Sequence, residues 1–229
     1  MKIVFSLLVC LCAWLPIWAE APKGADSGAI TAKEAFLRLK GDPLQLISES
    51  TRRDMVLCFE GNQKYTPLNS LRGTCELKAL TPSYAMVEVS KASTVQIAIL
   101  PAGKKQVVAV IYTVDGGDSP DSELLLYDEK LTPLPLGKYF KEPQMQMFMV
   151  KGKEAQQAQE LVPFLLVSYA FDITGDTPAL EAQLNVKGSM SEEDFDRLRP
   201  YLSTYTLIYY WDGKRFSAPR PMTDINITE

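Results

Sequence analysis

The chain has 229 residues, is 46% hydrophobic and 23% charged, and carries a formal net charge of −4. This balance is that of a globular protein and excludes an intrinsically disordered chain. Lysine and arginine never occur in runs longer than two residues, which excludes the basic footprint of a nucleic-acid-binding protein.

The first nineteen residues predict a signal peptide. Met1-Lys2 precedes the apolar run IVFSLLVCLCAWLPIW. A helix of this length rises about 24 Å and is short for the about 30 Å core of a bilayer, whereas a short apolar run behind a lysine is typical of a cleaved secretory signal. We expect cleavage after Ala19 and a periplasmic or secreted mature protein that is not an integral membrane protein. A retained anchor is the alternative interpretation.

After the signal, residues 20–30 predict a flexible lead and residues 31–229 a single mature domain. Thr31-Ala-Lys-Glu34 has the pattern of a capping box at a helix start, and Asp42-Pro43 suits the start of a second short helix. From Arg53 onward, short apolar runs alternate with turn formers, which predicts antiparallel strands joined by short turns. The predicted strands are 54–59, 75–80, 84–90, 94–100, 106–114 and 123–128.

The segment 130–145 contains three prolines and predicts a loop, which is the candidate sub-boundary between two halves. The elements predicted beyond it are a strand at 145–150, a helix at 153–160, strands at 164–171 and 179–187, a helix at 191–202 and a final hairpin at 205–217. The predicted fold class is α+β: a predominantly antiparallel meander with a few short helices, built as one unit or as two sheet-plus-helix halves.

Histidine is absent from the sequence. This excludes imidazole-dependent hydrolases and histidine-ligated zinc or iron sites. No G-x-S-x-G, S-x-x-K or phosphate-loop motif occurs. Carboxylate chemistry, hard-cation binding or a role without catalysis remain, and the sequence predicts no cofactor.

The densest acidic cluster is Asp115, Asp118, Asp121 and Glu123, which surround a Gly-Gly pair. Carboxylates on a tightly bent segment are the ligands that calcium prefers. The spacing is not that of an EF-hand, and a solvated turn between two strands is the alternative interpretation.

Signal removal leaves two cysteines, Cys58 and Cys75. In an oxidising compartment they would form a disulfide worth about 3 kcal/mol by loop entropy. Two separate buried thiols are the alternative interpretation.

Three aromatic residues of the last predicted hairpin, Tyr209, Trp211 and Phe216, would offer a stacking surface for a sugar or a peptide. Tyr209 and Trp211 share one strand face because side chains alternate along a strand. Core and cross-strand packing is the alternative interpretation.

The phrases VVAVIYTV, DSELLLYD and LTPLP, followed by LEAQLNVKG, EEDFDRLRPYL and YYWDGKRF, resemble a family of exported Bacteroidetes proteins known as DUF3256, a domain of unknown function. The resemblance spans residues 44–217 and implies a bacterial envelope location, with no activity or binding residues attached.

We therefore expect a non-enzymatic envelope protein with a binding or structural role, whose partner is a protein or a glycan. One alternative is a carboxylate-dependent hydrolase, which requires two facing carboxylates with raised pKa values in a cleft. The other alternative is a calcium-stabilised module.

Overall fold

The computed structural model describes residues 29–41, 44–117 and 119–222. The predicted signal peptide and most of the flexible lead lie outside these residues, as do Asp42, Pro43 and Asp118. Among the residues described, no helix combines the length and the apolarity needed to cross a bilayer.

Two antiparallel sheets organise the fold, as the α+β prediction requires. The first sheet has the strand order β1 Glu76–Leu80, β2 Tyr84–Ser90, β3 Ser93–Ala102, β4 Lys105–Val114 and β5 Asp121–Asp128. The second has the order β6 Val167–Asp172, β7 Ala179–Leu184, β8 Thr206–Tyr210 and β9 Arg220–Pro221. The helices are α1 Ala32–Arg38, α2 Glu49–Glu60, α3 Leu136–Tyr139, α4 Lys153–Gln159 and α5 Glu192–Leu198.

The first sheet is a meander because short turns connect its neighbouring strands. Ala102 pairs with Lys105, so only Gly103 and Lys104 close the hairpin between β3 and β4. Gly103 has a φ of 67°, the positive value that such a two-residue turn requires and that glycine adopts without strain. The predicted strands from 75–80 to 123–128 are confirmed to within a few residues.

Strand β4 shows that both faces of the first sheet are covered. Val108 and Val110 belong to the hydrophobic cluster under α1 and α2. Ala109 and Ile111 belong to a second cluster, which also contains residues of β6, β7 and β8. The unbroken apolar run of this strand therefore reflects burial on two sides, as expected for a central strand.

Helix α2 replaces a predicted strand, so the strand at 54–59 is wrong. The Ser48 hydroxyl accepts a hydrogen bond from the Thr51 backbone N–H and caps the helix. The buried residues Arg52, Met55 and Val56 have the i, i+3, i+4 spacing of a helix face. A short apolar run such as MVLCF fits both periods, and the tertiary packing decides between them.

The C-terminal half confirms the helix at 153–160 and the two strands that follow it, with shorter bounds. The predicted strand at 145–150 is wrong, because Met145–Phe148 forms a 3-10 helix. The predicted loop at 130–145 contains α3, and the second strand of the last predicted hairpin is reduced to one bridge between Trp211 and Phe216.

A row of hydrogen bonds joins the free edge of β6 to the first sheet. The backbone N–H groups of alternate β6 residues, Val167, Tyr169 and Phe171, donate to the side chains of Asp121, Ser122 and Gln96 at 3.0–3.2 Å. Exposed strand edges attract other chains. The side chains of the first sheet protect this edge and fix the second sheet against the first.

Candidate functional site

The acidic turn is tied into the fold at two of its predicted ligands. The Asp115 carboxylate accepts the Gly117 backbone N–H at 2.9 Å, and the Asp121 carboxylate accepts the Val167 N–H at 3.1 Å. Glu123 is exposed on β5, and Asp118 lies outside the described residues. Within the described part of the chain, no group of three or more Asp, Glu, Cys or His residues is placed to hold a metal ion.

The two cysteines are free in the structure. Cys58 is half-buried on α2, whereas Cys75 is buried before β1 and its thiol donates to the Pro67 carbonyl at 3.4 Å. Burial raises the pKa of Cys75, which disfavours the reactive thiolate.

The predicted aromatic surface is a core cluster. Tyr209 is 0% exposed, Trp211 3% and Phe216 5%. The ring of Phe140 packs edge-on against Tyr209 at 4.9 Å and against Phe216 at 5.7 Å, between ring centroids. The Trp211 indole N–H donates to the Pro101 carbonyl at 2.6 Å. These three side chains therefore offer no exposed stacking surface, because the strand face that they share is the face that the rest of the fold covers.

The carboxyl groups with clearly displaced pKa values in the described residues are Glu34, Asp128, Asp172 and Asp212, and all four values are lowered. Backbone and side-chain N–H and O–H donors of nearby residues are the chief cause in each case. The carboxylate-dependent hydrolase predicts a raised pKa for at least one carboxyl group, which is opposite to the direction at these four residues.

A groove of about 780 Å³ lies where α1, α2 and the segment after β5 meet. We call it the basic groove. The residues that line it are Leu37, Arg38, Leu39, Lys40, Glu49, Arg53, Tyr127, Lys130, Leu131 and Pro133.

The groove is positively charged in a protein whose net charge is −4. Four basic side chains and one acidic side chain line it, for a formal charge of +3. Arg53 pairs with Glu49 at 3.5 Å, whereas Arg38, Lys40 and Lys130 make no salt bridge to any described residue. A concave site lined by charges of one sign attracts ligands of the other sign.

The turn after β5 presents Lys130 and Leu131 to the groove. The Asp128 carboxylate accepts the backbone N–H groups of Lys130 at 2.9 Å and Thr132 at 2.8 Å. The hydrogen bond from Thr132 is the largest cause that lowers the pKa of Asp128. This clamp holds Leu131 at a φ of 65°, a left-handed conformation that a leucine rarely adopts and that costs about 1–3 kcal/mol.

A known family model matches most of the chain. The model described as "Protein of unknown function (DUF3256)" matches residues 25–216. The chain belongs to this family. The resemblance noted in the sequence over residues 44–217 is thereby confirmed, and so is the fact that the family carries no assigned activity.

The search of solved structures finds a relative of this DUF3256 protein in fold. It is described as the structure of a domain of an uncharacterized protein from Porphyromonas gingivalis W83. The TM-score is 0.69 at 20% sequence identity, and the match covers 82% of this chain and 98% of that chain. An identity this low shows the shared fold alone. The search of curated proteins gives no match.

Sequence reasoning missed the groove of this DUF3256 protein for a structural reason. Its basic residues come from three segments, around residues 38, 53 and 130, which only the tertiary fold brings together. The residue pattern predicted the end of a strand at Asp128 and a loop over 130–145 but not which surface this segment would face.

Proposed function

We propose that this DUF3256 protein is an exported, non-enzymatic binding module that holds an acidic segment of a protein partner in the basic groove. The lysine and apolar run at the N-terminus support export. The binding role depends on the groove, where like charges gather in an otherwise acidic chain.

The strained leucine is the observation that carries the proposal. Leu131 keeps a left-handed backbone although glycine or asparagine would adopt it at little cost. Strain of this kind persists only where the surrounding structure holds it, here through the Asp128 clamp, and such residues cluster at binding and active sites. The leucine is half-buried and lines the groove beside the cation of Lys130, so the turn presents an apolar contact and a positive charge together.

A protein segment suits these walls better than a glycan does. The apolar lining consists of leucines and a proline, with Tyr127 as its one aromatic ring. Sugars stack on exposed aromatic faces, and the aromatic cluster at Tyr209 is buried. Leucines between cations match an acidic segment that also carries apolar side chains.

A comparative pull-down from envelope extract tests this function. The groove variant combines Arg38→Gln, Arg53→Gln and Lys130→Gln. The control variant removes the same number of charges at exposed lysines elsewhere, with Lys64→Gln, Lys91→Gln and Lys214→Gln. We expect quantitative mass spectrometry to find acidic proteins that the wild type and the control variant retain at low salt and that the groove variant loses.

The salt dependence of the same pull-down adds a second criterion. Exposed charge pairs weaken as the Debye length falls, so capture should decrease strongly between about 0.05 and 0.5 M salt. Equal capture by the groove variant and the wild type would refute the proposed site. Captured material that resists protease but is removed by glycosidase would assign the groove to a glycan.

A further inference from the structure

A second, smaller cavity adjoins the basic groove. Its volume is about 240 Å³, and it shares Leu39, Lys40 and Glu49 with the groove. The exposed residues Lys40 and Gln45 also line it, so it opens to solvent. The most buried charged residue that lines this cavity is Arg52, which is only 4% exposed.

One edge of the Arg52 guanidinium is used by the fold. Nη1 donates to the carbonyls of Phe36 at 2.6 Å and Leu39 at 2.8 Å. These carbonyls lie at the C-terminal end of α1, where the helix has no internal donors left for them. The guanidinium carbon also lies 6.0 Å from the centroid of the Phe36 ring. The two hydrogen bonds from Nη1 to these carbonyls explain why the Arg52 side chain lies here.

The other edge of the same guanidinium has no partner among the residues that the structure describes. Nε is buried and makes no hydrogen bond, and both described hydrogen bonds of the side chain come from Nη1. No described carboxylate lies within 4.0 Å of it, because Glu49 pairs with Arg53 instead. Burial is the main cause that lowers the pKa of Arg52, and the charge of Glu49 opposes it.

A buried positive charge without an anion is costly, and arginine keeps its charge at every ordinary pH. The Nε–Nη2 edge presents two parallel N–H groups, which match the two oxygens of a carboxylate. The hydrogen bonds to the α1 carbonyls use Nη1 alone, so they account for one side of the guanidinium and not for the Nε–Nη2 edge. The unpartnered edge therefore indicates a ligand.

We propose that the cavity beside Arg52 is a carboxylate site, which receives an aspartate or glutamate side chain of the segment bound in the basic groove. This inference rests on the proposed function and names the group that the groove recognises. Lys40 borders both cavities and supplies a second positive charge at the entrance. The groove attracts the segment, and Arg52 selects for a planar, two-oxygen anion.

Titration of the full mature chain with sodium acetate tests the site without any substitution. NMR spectra of the arginine Nε–H groups, assigned through bonds from the backbone, follow Arg52 and Arg53 in the same sample. We expect a saturable displacement of the Arg52 Nε–H resonance by acetate, several times larger than that caused by sodium chloride at equal ionic strength. Equal responses to acetate and chloride, or a response of Arg53 alone, would overturn the proposal.

Arg52→Lys keeps the charge and removes the two-pronged edge. We expect the acetate affinity to fall about tenfold or more, in line with the loss of one charge-assisted hydrogen bond, measured from the backbone amides of Leu39 and Lys40. An unchanged affinity would contradict the site. If the variant does not fold, the wild-type titration alone still decides.

The groove variant separates this inference from the proposed function. For this purpose the groove variant is restricted to Arg38→Gln and Lys130→Gln, which leaves Arg52, Lys40 and the Arg53–Glu49 pair in place, so its acetate response should equal that of the wild type even though it loses the protein partner. If acetate does not shift the Arg52 resonance but the pull-down finds a partner that depends on the groove, the carboxylate site alone is refuted. If acetate shifts the resonance but the pull-down finds no such partner, the binding function is refuted and a small-anion site remains.

Discussion

The two faces of the first sheet are covered by different structures. The second sheet covers one face, with the aromatic cluster around Phe140 and a row of hydrogen bonds along β6. Helices α1 and α2 cover the other face, and there the buried Arg52 and the basic groove are found. We infer that the sheet-covered face contributes most of the stability and that the helix-covered face carries the proposed binding site.

Buried polar groups distinguish the two faces most clearly. On the sheet-covered face, both ends of the Gln96 amide have partners: its oxygen accepts the Phe171 N–H and the Tyr84 hydroxyl, and its nitrogen donates to the Tyr169 carbonyl. On the helix-covered face, Arg52 leaves Nε unpartnered. The sheet-covered face has its own exception in the buried Tyr209 hydroxyl, but that group is neutral, so it costs less than a charge.

The largest effect on stability is expected from Phe140→Ala. The Phe140 ring contacts the rings of Tyr169, Tyr209 and Phe216, and its loss leaves a cavity that costs about 3–5 kcal/mol of the free energy of unfolding. Urea denaturation measures this cost. Phe164→Ala is the matched control, because Phe164 is 70% exposed and should change the value by less than about 0.5 kcal/mol. Similar costs for both variants would contradict the division between the faces.

A smaller effect is expected from Gln96→Ala, which tests whether the two sheets behave as one domain. The change leaves the Phe171 N–H without its partner and should cost about 1–3 kcal/mol. Trp211 fluorescence, which reports on the second sheet, and far-UV circular dichroism should show one coincident urea transition in the wild type and in the variant. The exposed Gln63→Ala is the control. Two separate transitions in the wild type would divide the chain near 130–145.

Short-range patterns were sufficient for the first sheet and insufficient for the site. Strands β2 to β5 could be predicted because each is bounded by turn formers, and β2 and β5 also alternate in burial. Helix α2 was missed because the five-residue apolar run MVLCF fits both periods. Strand alternation correctly placed Tyr209 and Trp211 on one face but could not say that the fold covers that face. The basic groove needs three distant segments, and no local pattern contains that information.

The smallest predicted effect lies on the helix-covered face, at the capping box of α1. The Glu34 carboxylate accepts the Thr31 backbone N–H at 2.8 Å and the Thr31 hydroxyl at 3.0 Å, and these bonds lower the pKa of Glu34. A lowered folded-state pKa stabilises the fold above the unfolded value of about 4.3. That contribution decreases as the pH falls through the folded-state pKa.

Glu34→Gln should therefore lower the free energy of unfolding by about 0.5 kcal/mol at pH 7, a value limited by the solvent exposure of the pair. The difference from the wild type should shrink as the pH falls from the unfolded value of about 4.3 and through the lowered folded-state pKa of Glu34. Urea denaturation between pH 3 and 7 measures it. The control is Glu154→Gln, in the first turn of α4, where the N-cap residue makes no side-chain hydrogen bond. A pH-independent difference for Glu34→Gln would mean that shape, not charge, determines its role.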